Sequence, residues 1–422
     1  MKTNIFSALS EKSFLYAWIG EILTLVANHI FNFFLILQVF NITHSNAANS
    51  FVVLTIIVPS IIFGVLAGAF VDRWNKRKVL ITVNLARALL LLMLAFANDN
   101  LIFLYSISFI FSFITQFFIP AELPIIPLLV EKKNYYSANS LFGMAIYGAI
   151  LVAFVLVGPL IIMLKPFGVL ILLSVMLFVA TLFILKIRFP YSKNNQAAVA
   201  RNVLDKANIF EDMKYTLSLI SHARNVLTSI FFLALSQTLI LVVATIAPGY
   251  AVTVLRIPIV QLPMLFVAPA ALGTIIGAWI ITSYLQNRKK QILITSGIFL
   301  SSFSMLLLPY GSKVGSKSFV QIINLYLPRF LQVDILHIII IIAFILGLSN
   351  SLVFVPANTL LQEETSEEFR GKVYGLLNTF IGVLSLLPII IVGGLADLIG
   401  VGAVISGIGV FLFALGILRI FV

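Results

Sequence analysis

The feature that most constrains this chain is a series of twelve apolar runs, each near the roughly 20 residues a helix needs to cross a bilayer. They fall at about 14–40, 50–71, 79–97, 101–130, 137–163, 167–187, 225–253, 259–284, 291–310, 335–361, 372–396 and 400–421. Most links between them are short, so consecutive helices run antiparallel and pack on one another. In hydrocarbon every backbone polar group must be satisfied inside the protein, and a helix does so within its own segment. The expectation is an all-α polytopic membrane protein of twelve transmembrane helices, without cleavage of the first run, which is too long for a signal-peptide core.

Composition excludes the main alternatives. The chain is 61% hydrophobic and 10% charged, against about 25% charged in soluble domains. The net charge of +12 could suggest nucleic acid, but the basic residues lie between the apolar runs and not on a docking face, so no nucleic acid is expected. There are no cysteines, and His29, His44, His222 and His337 lack ligand spacing. No metal, no cofactor and no disulfide framework is expected.

Orientation follows from Lys and Arg. With the N-terminus inside, all but five of the 27 basic residues fall on the cytoplasmic side or its membrane edge. The five are Lys165, Arg256, Lys313, Lys317 and Arg329. This asymmetry places both termini in the cytoplasm, with Trp18, Trp74 and Trp279 near the inner interface. Two loops are long. Residues 188–224 lie inside, where Ile209, Phe210, Met213, Leu217 and Ile220 share one face of an amphipathic helix; residues 311–334 lie outside.

The inner loop divides the chain into an N-terminal six-helix half, 1–187, a linker, 188–224, and a C-terminal half, 225–422. Phe118-Ile119-Pro120-Ala121 recurs as Phe354-Val355-Pro356-Ala357, and Gly158 and Gly394 share that offset. Gly64 and Gly68 are matched by Gly273 and Gly277, each pair spaced for close helix approach. Two related six-helix halves are a transporter signature.

The loop after the second run reads Gly68-Ala69-Phe70-Val71-Asp72-Arg73-Trp74-Asn75-Lys76-Arg77-Lys78. It resembles the Gly-x-x-x-Asp-Arg-x-Gly-Arg-Arg motif of the major facilitator superfamily, with Asn75 at the second Gly, where Asn is the next-best residue for a left-handed turn. Pro120-Ala121, Ala138-Asn139-Ser140-Leu141, Gly158-Pro159 and Arg370-Gly371-Lys372-Val373 resemble the efflux branch that includes enterobactin and macrolide exporters. Lysophospholipid flippases share much of the pattern. The resemblance implies the major facilitator fold, with two pseudo-symmetric six-helix halves and a gate built from Gly68, Asp72, Arg73 and Arg77. Asp72 would face the N-terminus of the eleventh span, whose dipole favours an anion. Arg73, Lys76, Arg77 and Lys78 would hold the loop on anionic headgroups.

Ionisable groups within spans cost roughly 2.5–3.5 kcal/mol on insertion scales, so each needs a reason. Glu21, Asn28 and Asn32 lie within about 40° of one another on a helical wheel and form a polar stripe. Glu21 is the first proton-coupling candidate, unless it sits at headgroup level and is merely solvated. Asn28 stands where the efflux branch often has Asp, so Glu21 would replace that carboxylate. Ser108, Ser112, Thr115 and Gln116 either line a cavity or bond across helix contacts. Glu122 below them is a second proton-coupling candidate or a partner of Lys132 or Lys133. The substrate-cavity candidates are Asn28, Asn32, Ser112, Gln116, Gln237, Asn350 and Asn358. Arg87 is expected to snorkel to the inner headgroups, His29 to pack as a neutral ring, and Asp334 and Asp397 to be solvated at outer helix ends.

The segment Gly311–Ser318 is one residue short of a phosphate loop and has no strand before it, and no catalytic motif is present. The reading is a non-enzymatic, monomeric secondary transporter of the plasma (inner) membrane. It would exchange a small-molecule substrate for protons, with membrane lipids around it, in the direction of efflux. Competing readings are a lysophospholipid flippase and a non-transporting scaffold or sensor.

Overall fold

Eleven helices among the described residues are long and apolar enough to cross a membrane. The computed structural model describes residues 6–97, 100–188, 224–309, 335–365 and 367–421. The helices are α1 (Lys12–Thr43), α2 (Asn46–Arg73), α3 (Lys76–Ala95), α4 (Leu101–Thr115), α5 (Phe118–Glu122), α6 (Ile126–Leu129), α7 (Tyr135–Leu185), α8 (Arg224–Gly249), α9 (Ala268–Ile280), α10 (Lys290–Leu307), α11 (Ile335–Glu364), α12 (Glu367–Ile399) and α13 (Val401–Phe421). The fifth and sixth apolar runs lie together in the 51-residue α7, whose backbone leaves helical geometry at Lys165 (φ 57°) just before Pro166. Eleven long helices thus carry the twelve expected spans.

The fourth run is not one helix. It turns at Gln116–Phe117, then continues as α5, a 3-10 turn over Leu123–Ile125, and α6. Pro120 explains the break: its ring clashes with the carbonyl four residues back, at Gln116, and it has no N–H to donate. Pro124 and Pro127 repeat the effect. The matching Pro356 is carried inside an unbroken α11, so the repeated tetrapeptide does not give the same local structure twice.

Contacts group the chain into two bodies, Met1–Gln38 with Leu54–Asp212, and Val39–Val53 with Met213–Val422. In the first, α3 packs along α7, and Ser174 Oγ donates to the Ala88 carbonyl at 2.8 Å. One buried cluster in it gathers Phe14, Phe118, Leu129, Leu141 and Phe142, and Trp18 Nε1 donates to Leu141 O at 2.9 Å. In the second, α9 lies on α11 and α10 lies against α11 and α13. A Cβ at Gly273 would stand 2.0 Å from Phe344 O, and one at Gly347 1.7 Å from Ala270 O. Only glycine permits that approach, and the small residues let the two backbones touch as membrane helices do. Serines tie the group further, with Ser301 and Ser349 hydroxyls 2.7 Å apart and Ser302 Oγ 2.8 Å from Gly409 O.

The expected match between the two glycine pairs fails. Among the described residues a Cβ at Gly68 meets nothing within 4 Å, and one at Gly64 meets only Gln116 Oε1 at 3.8 Å. Gly273 and Gly277 are packing glycines; among the described residues Gly64 and Gly68 have no such close neighbour. The amphipathic stretch 209–220, the segment 311–318 and Asp334 lie outside the described residues.

Candidate functional site

The polar stripe of α1 divides by depth. Glu21 is 3% exposed and Thr24, one turn on, 1%; Asn28, His29 and Asn32 are half-buried. Glu21 is therefore not solvated at headgroup level. Opposite it α3 brings Asn84 (0%) and Arg87 (1%), also one turn apart. Asn84 Nδ2 donates to Thr24 Oγ1 at 2.9 Å, and Arg87 Nη2 donates to Asn84 Oδ1. Arg87 Nη1 donates to Thr115 Oγ1 of α4 at 3.4 Å. The guanidinium carbon lies 4.9 Å from the Phe118 ring centre and 5.5 Å from that of Phe111, within the reach of cation–π attraction.

Arg87 does not snorkel. Its side chain is held among α3, α4 and α5, where two aromatic faces and two polar side chains replace headgroup contacts. Glu21 and Arg87 act on each other through space, yet Glu21 Oε2 and Arg87 Nε have no hydrogen-bond partner. Orphaned buried polar atoms are uncommon and mark places where a proton, water or conformational change supplies what is missing.

Glu21 and Glu122 line one recess of about 20 Å³, with Ala17, Leu80, Phe118 and Phe142 among its walls. That volume admits about one water. Glu122 is half-buried, and Lys133 pairs with Glu131 at 2.6 Å rather than with Glu122. The two carboxyl candidates, far apart in sequence, thus share a cavity.

The remaining candidates distribute between the bodies. Ser112 is buried and its carbonyl accepts from Gln116 Nε2 at 3.1 Å. Ser108 meets Thr55 at 2.7 Å, so its hydroxyl bonds across a helix contact. In the second body Gln237, Asn350 and Asn358 are half-buried, and Ser236 Oγ donates to Asn350 Oδ1 at 2.6 Å.

The motif after α2 behaves differently from its expectation. The side chains of Asp72 and Arg73 lie outside the described residues. Asn75 is not left-handed: at φ −69°, ψ 107° it is the N-cap of α3, its side chain accepting from Lys78 N, the task Asn performs well. Arg77 reaches the end of another helix. Its Nε donates to Ile184 O at 3.3 Å and its Nη2 to Leu185 O. It caps the C-terminus of α7, where free carbonyls and the helix dipole favour a cation.

Sequence reasoning did not assign Thr24 and Asn84. Their signal was available: each sits one turn from an intramembrane charge, Thr24 from Glu21 and Asn84 from Arg87.

The whole chain matches known proteins chiefly in shape. A variant of the nucleoside transporter NupG superposes with a TM-score of 0.73 over 96% of this chain and 99% of its own, at 12% identity. The POT family transporter PepTSo superposes with a TM-score of 0.69 over 97% of each chain, at 12% identity. No curated protein matches the sequence. The family model described as Major Facilitator Superfamily matches residues 17–387. The chain therefore belongs to the Major Facilitator Superfamily and is a secondary transporter, not an enzyme.

Proposed function

We propose that this protein exports an amphipathic small molecule across the plasma (inner) membrane in exchange for protons, by alternating access, with Glu21 as the proton site. The observation that carries the reading is the buried Glu21 carboxyl, one oxygen unpartnered, in the field of a fully buried Arg87. When ionised, Glu21 offsets the guanidinium. When protonated, it leaves that charge without its counter-ion. Protonation can thus be exchanged for a change of state. The recess shared with Glu122 offers a one-water step by which the proton reaches Glu21.

Each body carries half-buried amides among apolar side chains: Asn28, Asn32 and Gln116 in the first, Gln237, Asn350 and Asn358 in the second. A few polar anchors in apolar surroundings suit an amphipathic ligand. Export rests on the resemblance of residues 72–77, 120–121, 138–141, 158–159 and 370–373 to the efflux branch. The charge asymmetry of the loops supports cytoplasmic termini. The gate assigned to Gly68, Asp72 and Arg73 is retained as part of this reading, with Arg77 acting through α7.

The experiment is flux in reconstituted vesicles under an imposed pH gradient, with lipophilic cations, macrolides and a labelled lysophospholipid as substrates. Gradient-driven movement of a cation or macrolide is expected. Movement of lysophospholipid alone, indifferent to the gradient, would replace this reading with the flippase.

A further inference from the structure

Asp397 is the last acidic residue of α12, and its carboxylate is fully engaged. Ser45 Oγ donates to Oδ2 at 2.6 Å and Ala47 N to the same oxygen at 3.0 Å. Asn46 gives Oδ1 two bonds, from its backbone N and from Nδ2, both at 2.8 Å. The acceptor thus closes the N-terminus of α2, where free N–H groups and the dipole favour an anion. The aspartate is open to solvent, as expected from sequence, and is in addition a helix cap for residues some 350 positions away.

The first two turns of α2 are seated as well as capped. Ser50 Oγ donates to Ile389 O of α12 at 2.8 Å, and Asn49 Nδ2 to Thr245 O of α8 at 3.4 Å. The seat is cut to fit. A Cβ at Gly393 would stand 1.9 Å from Ser50 Oγ, and one at Gly249 2.2 Å from Asn46 Oδ1. The turn leading into it is tight, with His44 held at φ 51°. The boundary between the two bodies crosses α1 between Gln38 and Val39 and α2 between Val53 and Leu54. The tip of this hairpin therefore belongs with α8 and α12, while the rest of both helices belongs elsewhere.

We propose that Asp397 is the bolt of a lock that holds the α1–α2 tip in a glycine-floored socket on α8 and α12, and that releasing it opens the protein on that side. The inference rests on the alternating-access reading above, which requires the tip to leave the socket once per cycle. The bolt suits that duty: the Asp397 side chain is open to solvent, so water can replace its four bonds when the tip lifts. On the topology argued above, the socket faces the outer side.

The chain has no native cysteine, so a single Ser50→Cys can report on the socket, Ser50 being 3% exposed. The measurement is its rate of reaction with a membrane-impermeant maleimide, in intact cells and in inverted vesicles, with and without Asp397→Ala. Gly393→Ala serves as a second, independent wedge, and Ser302→Cys, buried in the second body away from the socket, as the control. Asp397→Ala is expected to raise labelling of Ser50→Cys roughly three- to tenfold, as loss of charge-assisted bonds partly open to water implies. Gly393→Ala should act in the same direction, from one side of the membrane only, with Ser302→Cys unmoved. Unchanged labelling with both variants would overturn the lock, and so would an equal rise at Ser302→Cys. Opening from the cytoplasmic face would keep the lock and reverse the topology; opening without any substrate flux would keep it and remove the transport cycle proposed above.

Discussion

Asn84 accepts a hydrogen bond from Arg87, one turn further along α3, and passes one of its own to Thr24 on α1. This single amide connects the buried cation to the helix that carries the buried acid. A charge so deep is costly unless hydrogen bonds and a counter-charge offset it; the asparagine takes one of its donors while Nε is left without a partner.

Removing Arg87 should be more harmful than removing the pair. Arg87→Met leaves Glu21 alone in apolar surroundings and is expected to cost about 3–5 kcal/mol, whereas Glu21→Gln with Arg87→Met should recover part of that loss. Thermal unfolding in detergent of the two single variants and the double variant measures the coupling. Simple additivity would mean that the two groups do not act on each other.

Asn84→Leu should weaken the fold by about 1–3 kcal/mol, the range for leaving a buried donor unpartnered, and should lower gradient-driven flux as well. Thr24→Val, which removes only the far end of the chain of bonds, should cost less, about 1 kcal/mol. The same detergent melts, paired with flux, rank the three positions; a Thr24 effect larger than that of Asn84 would contradict the order of the network.

The glycines divide sharply. Gly347→Ala must push a methyl group into the Ala270 carbonyl, so folded yield and melting temperature should fall steeply, by several kcal/mol of stability if the helices cannot part. Gly68→Ala meets open space and should leave stability within about 0.5 kcal/mol. If Gly68→Ala nonetheless abolishes flux with the fold intact, the position is needed in another conformation, as a gate requires.

Arg77→Gln should loosen the end of α7 by roughly 1 kcal/mol, seen as faster amide exchange around Ile184 and Leu185 rather than as weaker attachment to anionic vesicles. Vesicle binding that falls while exchange is unchanged would return Arg77 to the headgroups.

How much of this was written in the sequence depends on the range of the interaction. The spans are local facts, set by length and hydropathy, and each apolar run reappears as helix; only the break at Gln116 and the continuous α7 differ, both at prolines whose neighbours decide whether a helix yields. Glu21 was legible because an acid in a span is costly wherever it points. Arg87 was misjudged, and the capping role of Asp397 missed, for one reason: what a side chain near a helix end touches is unknown until another helix is placed against it. The partners of Asp397, at Ser45 to Ala47, are far away in the chain. Gly68 and Gly273 have the same local spacing and different neighbours, which no single-chain pattern distinguishes.

The most direct test of the account separates coupling from passage. Reconstituted wild-type protein and Glu21→Gln are compared for uphill accumulation of substrate driven by a pH gradient, and for downhill equilibration with no gradient. Glu21→Gln should abolish the first and preserve the second, since it removes the proton's seat and leaves the pathway. Uphill accumulation by Glu21→Gln at the wild-type rate would show that the coupling proton binds elsewhere and would contradict the central claim.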